Sequence, residues 1–285
     1  MFNTLKKLFF VSRPISWPNT AYPFIAGYIV SGGVIDLTFI IAAIYFLGPY
    51  NLLMYGINDV FDYESDIRNP RKGGIEGMRE QRAFHPTIVR AALYLNIPFV
   101  VWMIVYGTPV SSITLLVLLF FVVAYSLAKL RFKERPVLDS ITSSIHFVGP
   151  LIFALTLTSI QVAAIPYVVA FFLWGIASHA FGAVQDIIPD RKGKLASIAT
   201  VFGAKWTMRI AFALYIIAST IVVFQPMPYA VVGVVGLFYA FNIMKFIHIS
   251  DKESPSANVP WRRFIWLNLF TGFVVTMALI YAHLA

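Results

Sequence analysis

Long apolar stretches recur along the whole chain and are separated by short polar segments. Nine of them are long enough to be read as membrane helices: 16–34, 37–57, 87–106, 110–128, 138–156, 162–184, 207–224, 228–247 and 264–283. Because a helix needs about 20 mostly apolar residues to cross a bilayer, this pattern predicts an all-α integral membrane protein with nine transmembrane helices. Pro14, Pro18 and Pro23 predict an irregular start to the first of them.

The composition agrees with this pattern and narrows the class of protein. Hydrophobic residues make up 59% of the 285 residues and charged residues only 12%, which a water-soluble core cannot accommodate. The chain has no cysteine, which excludes a disulfide scaffold and a cysteine-ligated metal site. No linker, strand-rich segment or repeat divides the chain, so we expect residues 1–285 to form one multi-pass domain.

The net charge of +9 would suit a nucleic-acid partner unless the position of the charges explains it otherwise. Nine spans put the N-terminus and segments 58–86, 129–137, 185–206 and 248–263 on one side, and all 22 lysines and arginines lie on that side or just inside the adjoining spans. The opposite side has Asp36 as its one acidic residue. The positive-inside rule therefore predicts a cytoplasmic N-terminus in the cell membrane, and no nucleic-acid partner is needed.

The acidic residues on that side form two clusters. Asp59, Asp62 and Asp66 follow the second span, and at 100° per residue they fall within about 60° on one helix face. Asp186 and Asp190 follow the sixth span and would lie about 40° apart on a helix, although Pro189 disfavours a regular helix there. Neighbouring carboxylates repel one another, and Mg²⁺ binds to carboxylates together with substrate phosphates. The two clusters therefore predict a site for a metal-bound diphosphate, unless they are simply solvated helix ends that balance nearby bases.

These residues carry a resemblance to a known family. Asn58-Asp59-x-x-Asp62-x-x-x-Asp66 with Asp186-x-x-x-Asp190 resembles the paired aspartate-rich motifs of the UbiA-type intramembrane prenyltransferases, whose fold has nine helices. Within that superfamily, stretches 12–17, 54–74 and 173–200 are similar to the lycopene elongases of C50 carotenoid synthesis. Arg71-Lys72-Gly73-Gly74 departs from the segment of quinone-forming relatives.

The resemblance implies roles for individual residues. One Mg²⁺ would be held by Asn58, Asp59, Asp62 and Asp66, and a second by Asp186 and Asp190. Tyr125-x-x-x-Lys129 matches a further family motif, in which Tyr125 lines the allylic cation and Lys129 contacts the diphosphate; a membrane-interface aromatic and a topology charge are the simpler interpretations. Arg68 and Lys192 are the further candidates for the diphosphate, ranked before Arg71, Lys72 and Lys194.

The resemblance also implies a reaction, in which a dimethylallyl group passes from its diphosphate to the ends of lycopene and gives C45 and C50 carotenoids, with or without hydration. The spans are almost free of charged residues away from their basic ends, which suits a hydrocarbon acceptor. Two alternatives stay open: a UbiA-type prenyltransferase for an aromatic quinone precursor or another ring, and a transporter. Transporters place polar groups near the midplane, whereas these carboxylates lie at one surface.

Three polar residues near or inside the spans have simpler explanations. His146 and His179 lie within predicted spans, where a neutral imidazole bonded to a neighbouring helix is the first expectation. Asp139 follows Arg135 by four residues, and we expect these two to pair at the start of a helix.

Overall fold

The computed structural model describes residues 2–67 and 78–284, and every regular element in these ranges is helical. The all-α fold class is therefore confirmed. The α-helices are α1 (Phe2–Val11), α2 (Pro18–Val30), α3 (Leu37–Leu47), α4 (Pro49–Phe61), α5 (Tyr63–Asp66), α6 (His85–Val105), α7 (Pro109–Ser126), α8 (Leu138–Leu157), α9 (Ile165–Val184), α10 (Ile187–Lys192), α11 (Ile198–Val223), α12 (Tyr229–Ile243) and α13 (Asn258–Leu284).

Eight helical segments of the described chain are long and apolar enough to cross a membrane. They correspond to the second to ninth predicted stretches. The first stretch instead contains the 13-residue α2, which at 1.5 Å per residue extends about 20 Å against a hydrocarbon core of about 30 Å. A 3-10 turn at Pro14–Ser16 precedes α2, and Pro18 is its first residue, so the irregular start is confirmed. The count of nine spanning helices is not.

The outward helix faces carry large apolar side chains. Val101 on α6, Ile113 on α7 and Phe273 on α13 are 53%, 63% and 60% exposed. Large apolar side chains with this much exposure are unfavourable in water but suit a lipid environment. The exposure pattern therefore supports the multi-pass membrane assignment independently of the hydropathy pattern.

The second predicted stretch is broken in the middle. α3 ends at Leu47, and α4 begins at Pro49 after Gly48. The carbonyl oxygen of Phe46, just before the break, accepts hydrogen bonds from Thr20 Oγ1 at 2.7 Å and Asn51 Nδ2 at 2.8 Å. Backbone groups freed inside a membrane must be satisfied by the protein, and these two buried side chains meet that need.

The chain divides into two compact units, Met1–Phe132 with Ile145–Gln161 and Lys133–Ser144 with Val162–Ala285. The core of the first unit contains an aromatic cluster, in which Phe24, Phe46 and Phe153 have ring centroids within 5.2–6.1 Å of one another. The core of the second unit includes Phe181, Met208, Tyr215 and Tyr239. The organisation of residues 1–285 as one domain stays a prediction.

Candidate functional site

The first aspartate motif lies at the end of α4, in the first unit. Asn58 and Asp59 belong to the last turn of α4, the chain bends at Asp62, and the short α5 ends at Asp66. The regular helix that we expected through all three aspartates is therefore interrupted at Asp62. Asp59 and Asp62 are buried, at 5% and 9% exposure, so these carboxylates need compensating partners.

Asp59 is held from two directions. Arg13 Nη2 donates to Asp59 Oδ1 at 2.6 Å, and the backbone N–H of Met78 donates to Asp59 Oδ2 at 3.3 Å. The Arg13 guanidinium also lies over the Tyr55 ring, 4.3 Å from its centroid. Arg13 has a φ of 50°, a left-handed conformation that is uncommon for residues other than glycine. A strained backbone thus presents a half-buried cation to the first aspartate of the motif.

The neighbouring residues of the motif contact the end of α7 and the connection that follows it. Arg131 Nη2 lies 3.9 Å from Asp62 Oδ1, and Ser126 Oγ donates to Asn58 Oδ1 at 3.1 Å. Tyr125 lies one residue before Ser126, and its ring packs edge-on against His146 with 5.1 Å between the centroids. The structure therefore brings Asn58 and Asp62 close to the helix end that carries Tyr125.

Sequence reasoning missed Arg13 and Arg131 as partners of the first motif. Arg13 lies within the stretch 12–17 that resembles the family, which was a usable indication. Arg131 belongs to a basic run with Lys129, Lys133 and Arg135, and nothing in the sequence distinguishes it from them. Lys129 itself is exposed.

The second motif, in the second unit, begins a new helix. α9 ends at Val184, Asp186 is the N-cap residue of α10, and Asp190 N donates to Asp186 O at 2.9 Å. Asp186 and Asp190 are therefore one helical turn apart, as their spacing predicted, and both are half-buried. Pro189 is tolerated because it lies in the first turn of α10, where backbone N–H groups have no partner within the helix.

An ion pair fastens α10 to a kink in α11. Gly203, with φ 75° and ψ 166°, breaks the hydrogen bond that a regular helix would form from Ala204 N to Thr200 O. Arg191 Nη2 donates instead to Thr200 O at 2.9 Å, and Ala204 N donates to Asp251 Oδ1 at 2.6 Å. Arg191 Nη1 and Asp251 Oδ2 are 2.6 Å apart, so one ion pair satisfies both backbone groups that the kink exposes.

The same contacts act on the charge of Asp251, which lies in the 3-10 turn Asp251–Ala257 before α13. The hydrogen bond from the Ala204 N–H, together with the Arg191 guanidinium, holds the pKa of the Asp251 carboxyl below its ordinary value. The carboxylate therefore stays ionised at neutral pH and remains available to the kink.

We expect Asp251→Ala to destabilise the chain by about 1–2 kcal/mol, because it removes the acceptor of the Ala204 N–H and the partner of Arg191. In a detergent-solubilised thermal melt this corresponds to a midpoint lower by about 3–6 °C. Lys252→Ala, at the exposed neighbouring position, is the control and should melt like the parent chain. Equal midpoints for Asp251→Ala and the parent would show that the ion pair does not support the kink.

The buried polar residues mostly tie helices together, as expected for the two histidines. His179 Nδ1 lies 3.0 Å from Ser140 Oγ on α8, and His146 Nε2 lies 3.4 Å from the Phe121 carbonyl oxygen on α7. The expected pairing of Asp139 with Arg135 is wrong. The Asp139 carboxylate accepts instead from the backbone N–H of Ile198 at 2.7 Å and of Ser140 at 2.7 Å. Ile198 begins α11 and Ser140 lies in the first turn of α8, so the fully buried carboxylate is satisfied by free N–H groups at two helix starts.

The remaining site candidates fall into two groups. Arg68, Arg71 and Lys72 lie outside the described residues, and nothing is described of the Asp66 side chain. Lys192 and Lys194 are exposed at the end of α10 and just beyond it. Within residues 2–67 and 78–284, no three histidine, aspartate or glutamate side chains are close enough together to hold a metal ion by themselves.

The donor atoms nevertheless fit Mg²⁺. Each motif offers carboxylate oxygens, and the first adds the amide of Asn58. Mg²⁺ in proteins is commonly bound by one or two carboxylates, with waters and substrate phosphates completing its coordination. The guanidinium groups of Arg13 and Arg131 lie beside Asp59 and Asp62, which shows that the end of α4 attracts positive charge.

Comparison with known proteins identifies the family. The model of the UbiA prenyltransferase family matches residues 20–281. The chain is 46% identical over 285 residues to a lycopene elongase/hydratase of Corynebacterium glutamicum, covering 99% of both chains. It is 44% identical to the C(50) beta-cyclic carotenoids biosynthesis protein LbtBC of Dietzia sp., covering 98% of this chain and 66% of that protein.

The fold has solved counterparts. A UbiA homologue from Archaeoglobus fulgidus, solved with DMAPP and Mg²⁺ bound, superposes with a TM-score of 0.68 at 18% identity, covering 94% of this chain and 98% of that one. At this identity the likeness concerns the fold alone. Together with the family match over nearly the whole chain, it identifies this protein as a member of the UbiA prenyltransferase family, and hence as a membrane-bound prenyltransferase.

Proposed function

We propose that this enzyme transfers a dimethylallyl group from dimethylallyl diphosphate to the ends of lycopene, giving C45 and then C50 carotenoids. The observation that carries the proposal is the 46% identity, from end to end, to a lycopene elongase/hydratase. The nearly uncharged spans support an apolar acceptor, because a hydrocarbon requires no fixed counter-charge within the membrane. Since the family is one of prenyltransferases, the protein is an enzyme rather than a transporter.

The aspartate motifs are the proposed diphosphate site. Asn58, Asp59, Asp62 and Asp66 would hold one Mg²⁺, and Asp186 and Asp190 a second. When bound, Mg²⁺ neutralises the diphosphate and makes it a better leaving group. Lys129, Lys192 and Arg68 are proposed to contact the remaining phosphate oxygens as charged hydrogen-bond donors. Arg13 and Arg131 are proposed to orient the buried carboxylates of Asp59 and Asp62 and to balance their negative charge.

The proposed chemistry needs few groups beyond these. The allylic C–O bond breaks, its electron pair leaves with the diphosphate, and a terminal double bond of lycopene attacks the resulting cation. The tertiary cation so formed loses a proton, or takes up water and then releases a proton. Tyr125 would stabilise the allylic cation through the electron-rich face of its ring, and its packing against His146 fixes the plane of that ring.

The membrane location is part of the proposal. The cell membrane, with the N-terminus and both aspartate motifs in the cytoplasm, is supported by the predicted placement of all basic residues on one side. A cytoplasmic site would meet a water-soluble C5 diphosphate, whereas lycopene would enter from the bilayer.

Expression in cells that accumulate lycopene tests the acceptor directly. We expect new carotenoids larger by one and two C5 units, and their masses will report whether water has been added. Cells carrying Asp186→Asn should keep their lycopene. Unchanged lycopene in cells with the parent enzyme, together with consumption of a hydroxybenzoate and an allylic diphosphate by the purified protein, would replace lycopene with an aromatic quinone precursor.

A further inference from the structure

An open groove lies between α12 and α13, within the second unit. Its volume is about 370 Å³, and it is lined by Phe238, Asn242, Arg263, Trp266, Leu267 and Phe270. Both helices belong to segments that are long and apolar enough to cross a membrane. Phe238, Trp266 and Phe270 are 43%, 72% and 46% exposed, so the groove opens away from the protein rather than into its core.

The groove has a polar end and an apolar end. Asn242 lies in the last turn of α12, and Arg263 lies near the start of α13. Phe238 precedes Asn242 by one turn, while Phe270 follows Arg263 by about 10 Å along the helix axis. One end therefore offers a guanidinium close to the segment joining the two helices, and the rest offers aromatic surface. This polarity matches an amphiphile with an anionic head and a hydrocarbon chain.

Arg263 is available for such a head group. Its side chain is exposed, and none of the ion pairs or side-chain hydrogen bonds within residues 2–67 and 78–284 involves it. Asn242 Nδ2, in contrast, is used to bind the Pro260 carbonyl oxygen at 2.8 Å and so fixes the start of α13 beside the groove. The Arg263 guanidinium therefore extends from a helix start that this hydrogen bond holds in place.

The charge of the lining limits the kind of ligand. One guanidinium balances one phosphate diester, whereas a diphosphate carries more charge and usually brings a divalent cation that needs carboxylates. The lining contains no aspartate or glutamate. A zwitterionic lipid would bring its own cation next to Arg263, which offsets the attraction. We propose that this groove binds an anionic glycerophospholipid, with the phosphate at Arg263 and an acyl chain along Phe238, Trp266 and Phe270.

Trp266 reports directly on occupancy of the groove. The full chain is reconstituted in phosphatidylcholine vesicles that contain increasing amounts of a lipid with brominated acyl chains. This brominated lipid is phosphatidylglycerol in one series and phosphatidylcholine in the other. The fluorescence quenching that belongs to Trp266 is obtained as the difference in quenching between the parent chain and Trp266→Phe. Because a basic residue near a lipid surface contributes about 1 kcal/mol of attraction, we expect half-quenching at about fivefold less brominated phosphatidylglycerol than brominated phosphatidylcholine.

Neighbouring arginines supply the matched control. Arg263→Gln should remove the preference for phosphatidylglycerol, whereas Arg262→Gln, at an exposed position outside the groove lining, should keep it. Equal quenching by both lipids in the parent chain would overturn the proposal. An equal loss of the preference for phosphatidylglycerol in Arg263→Gln and Arg262→Gln would also overturn it, because the preference would then come from diffuse surface charge. Displacement of the brominated lipid by geranyl diphosphate would also overturn it, because the groove would then belong to a prenyl donor.

Discussion

Asp59→Asn is expected to lower the rate of prenyl transfer by about 100-fold or more. The substitution keeps the size of the side chain and leaves one oxygen to accept the hydrogen bond from Arg13, but it removes the negative charge that would hold Mg²⁺ and the diphosphate. Losing one charged ligand from such a site forfeits several kcal/mol of stabilisation of the departing diphosphate. Diphosphate release from dimethylallyl diphosphate, measured on purified protein with lycopene present, provides the rate.

The second motif should respond in the same way, and Asp36, which is predicted to lie on the opposite side of the membrane, supplies the control. We expect Asp186→Asn to reduce the rate to a similar extent. Asp36→Asn changes the same functional group at the N-cap of α3, where asparagine caps a helix as well as aspartate does, and should leave the rate unchanged. Parent-like turnover in Asp59→Asn or Asp186→Asn would remove that motif from the proposed site.

Chelation of divalent metal with EDTA is expected to abolish turnover, with recovery when Mg²⁺ is added in excess. Arg13 and Arg131 alone cannot compensate both the motif carboxylates and a diphosphate, because like charges at close range strongly disfavour joint ionisation. The measurement is the rate as a function of free Mg²⁺. Undiminished turnover in EDTA would mean that lysine and arginine side chains by themselves assist the leaving group.

The dependence of the rate on Mg²⁺ also distinguishes two reasons why a variant could be slow, namely weaker Mg²⁺ binding and misfolding. A variant that binds Mg²⁺ weakly should regain part of its rate at high Mg²⁺, whereas a variant that misfolds should not. Lys192→Ala is informative here, since its exposed side chain is proposed to contact the diphosphate rather than the metal. We expect it to raise the KM for dimethylallyl diphosphate without changing the Mg²⁺ concentration that gives half-maximal rate.

Much of the architecture follows from local sequence. Eight of the nine predicted stretches coincide with long apolar helices of the described chain, because hydropathy over about 20 residues reflects the thickness of a bilayer. The first stretch forms a helix shorter than predicted, because α2 begins at Pro18 and ends before the glycines that follow Ser31. The break at Gly48–Pro49 lies inside an uninterrupted apolar stretch and requires its partners Thr20 and Asn51, which hydropathy does not reveal.

The sequence by itself determined the class of protein and the two aspartate motifs, and it predicts the side on which the charges lie, since these depend on composition and on short spacings along the chain. The tertiary structure decided which cations meet which carboxylates. Arg13 reaches Asp59 across 46 positions, and Arg191 reaches Asp251 across 60. The chain has 22 basic residues, and their sequence positions do not tell most of them apart. Only packing brings a particular guanidinium group to a buried carboxylate or to a kinked backbone, where its charge has a structural effect.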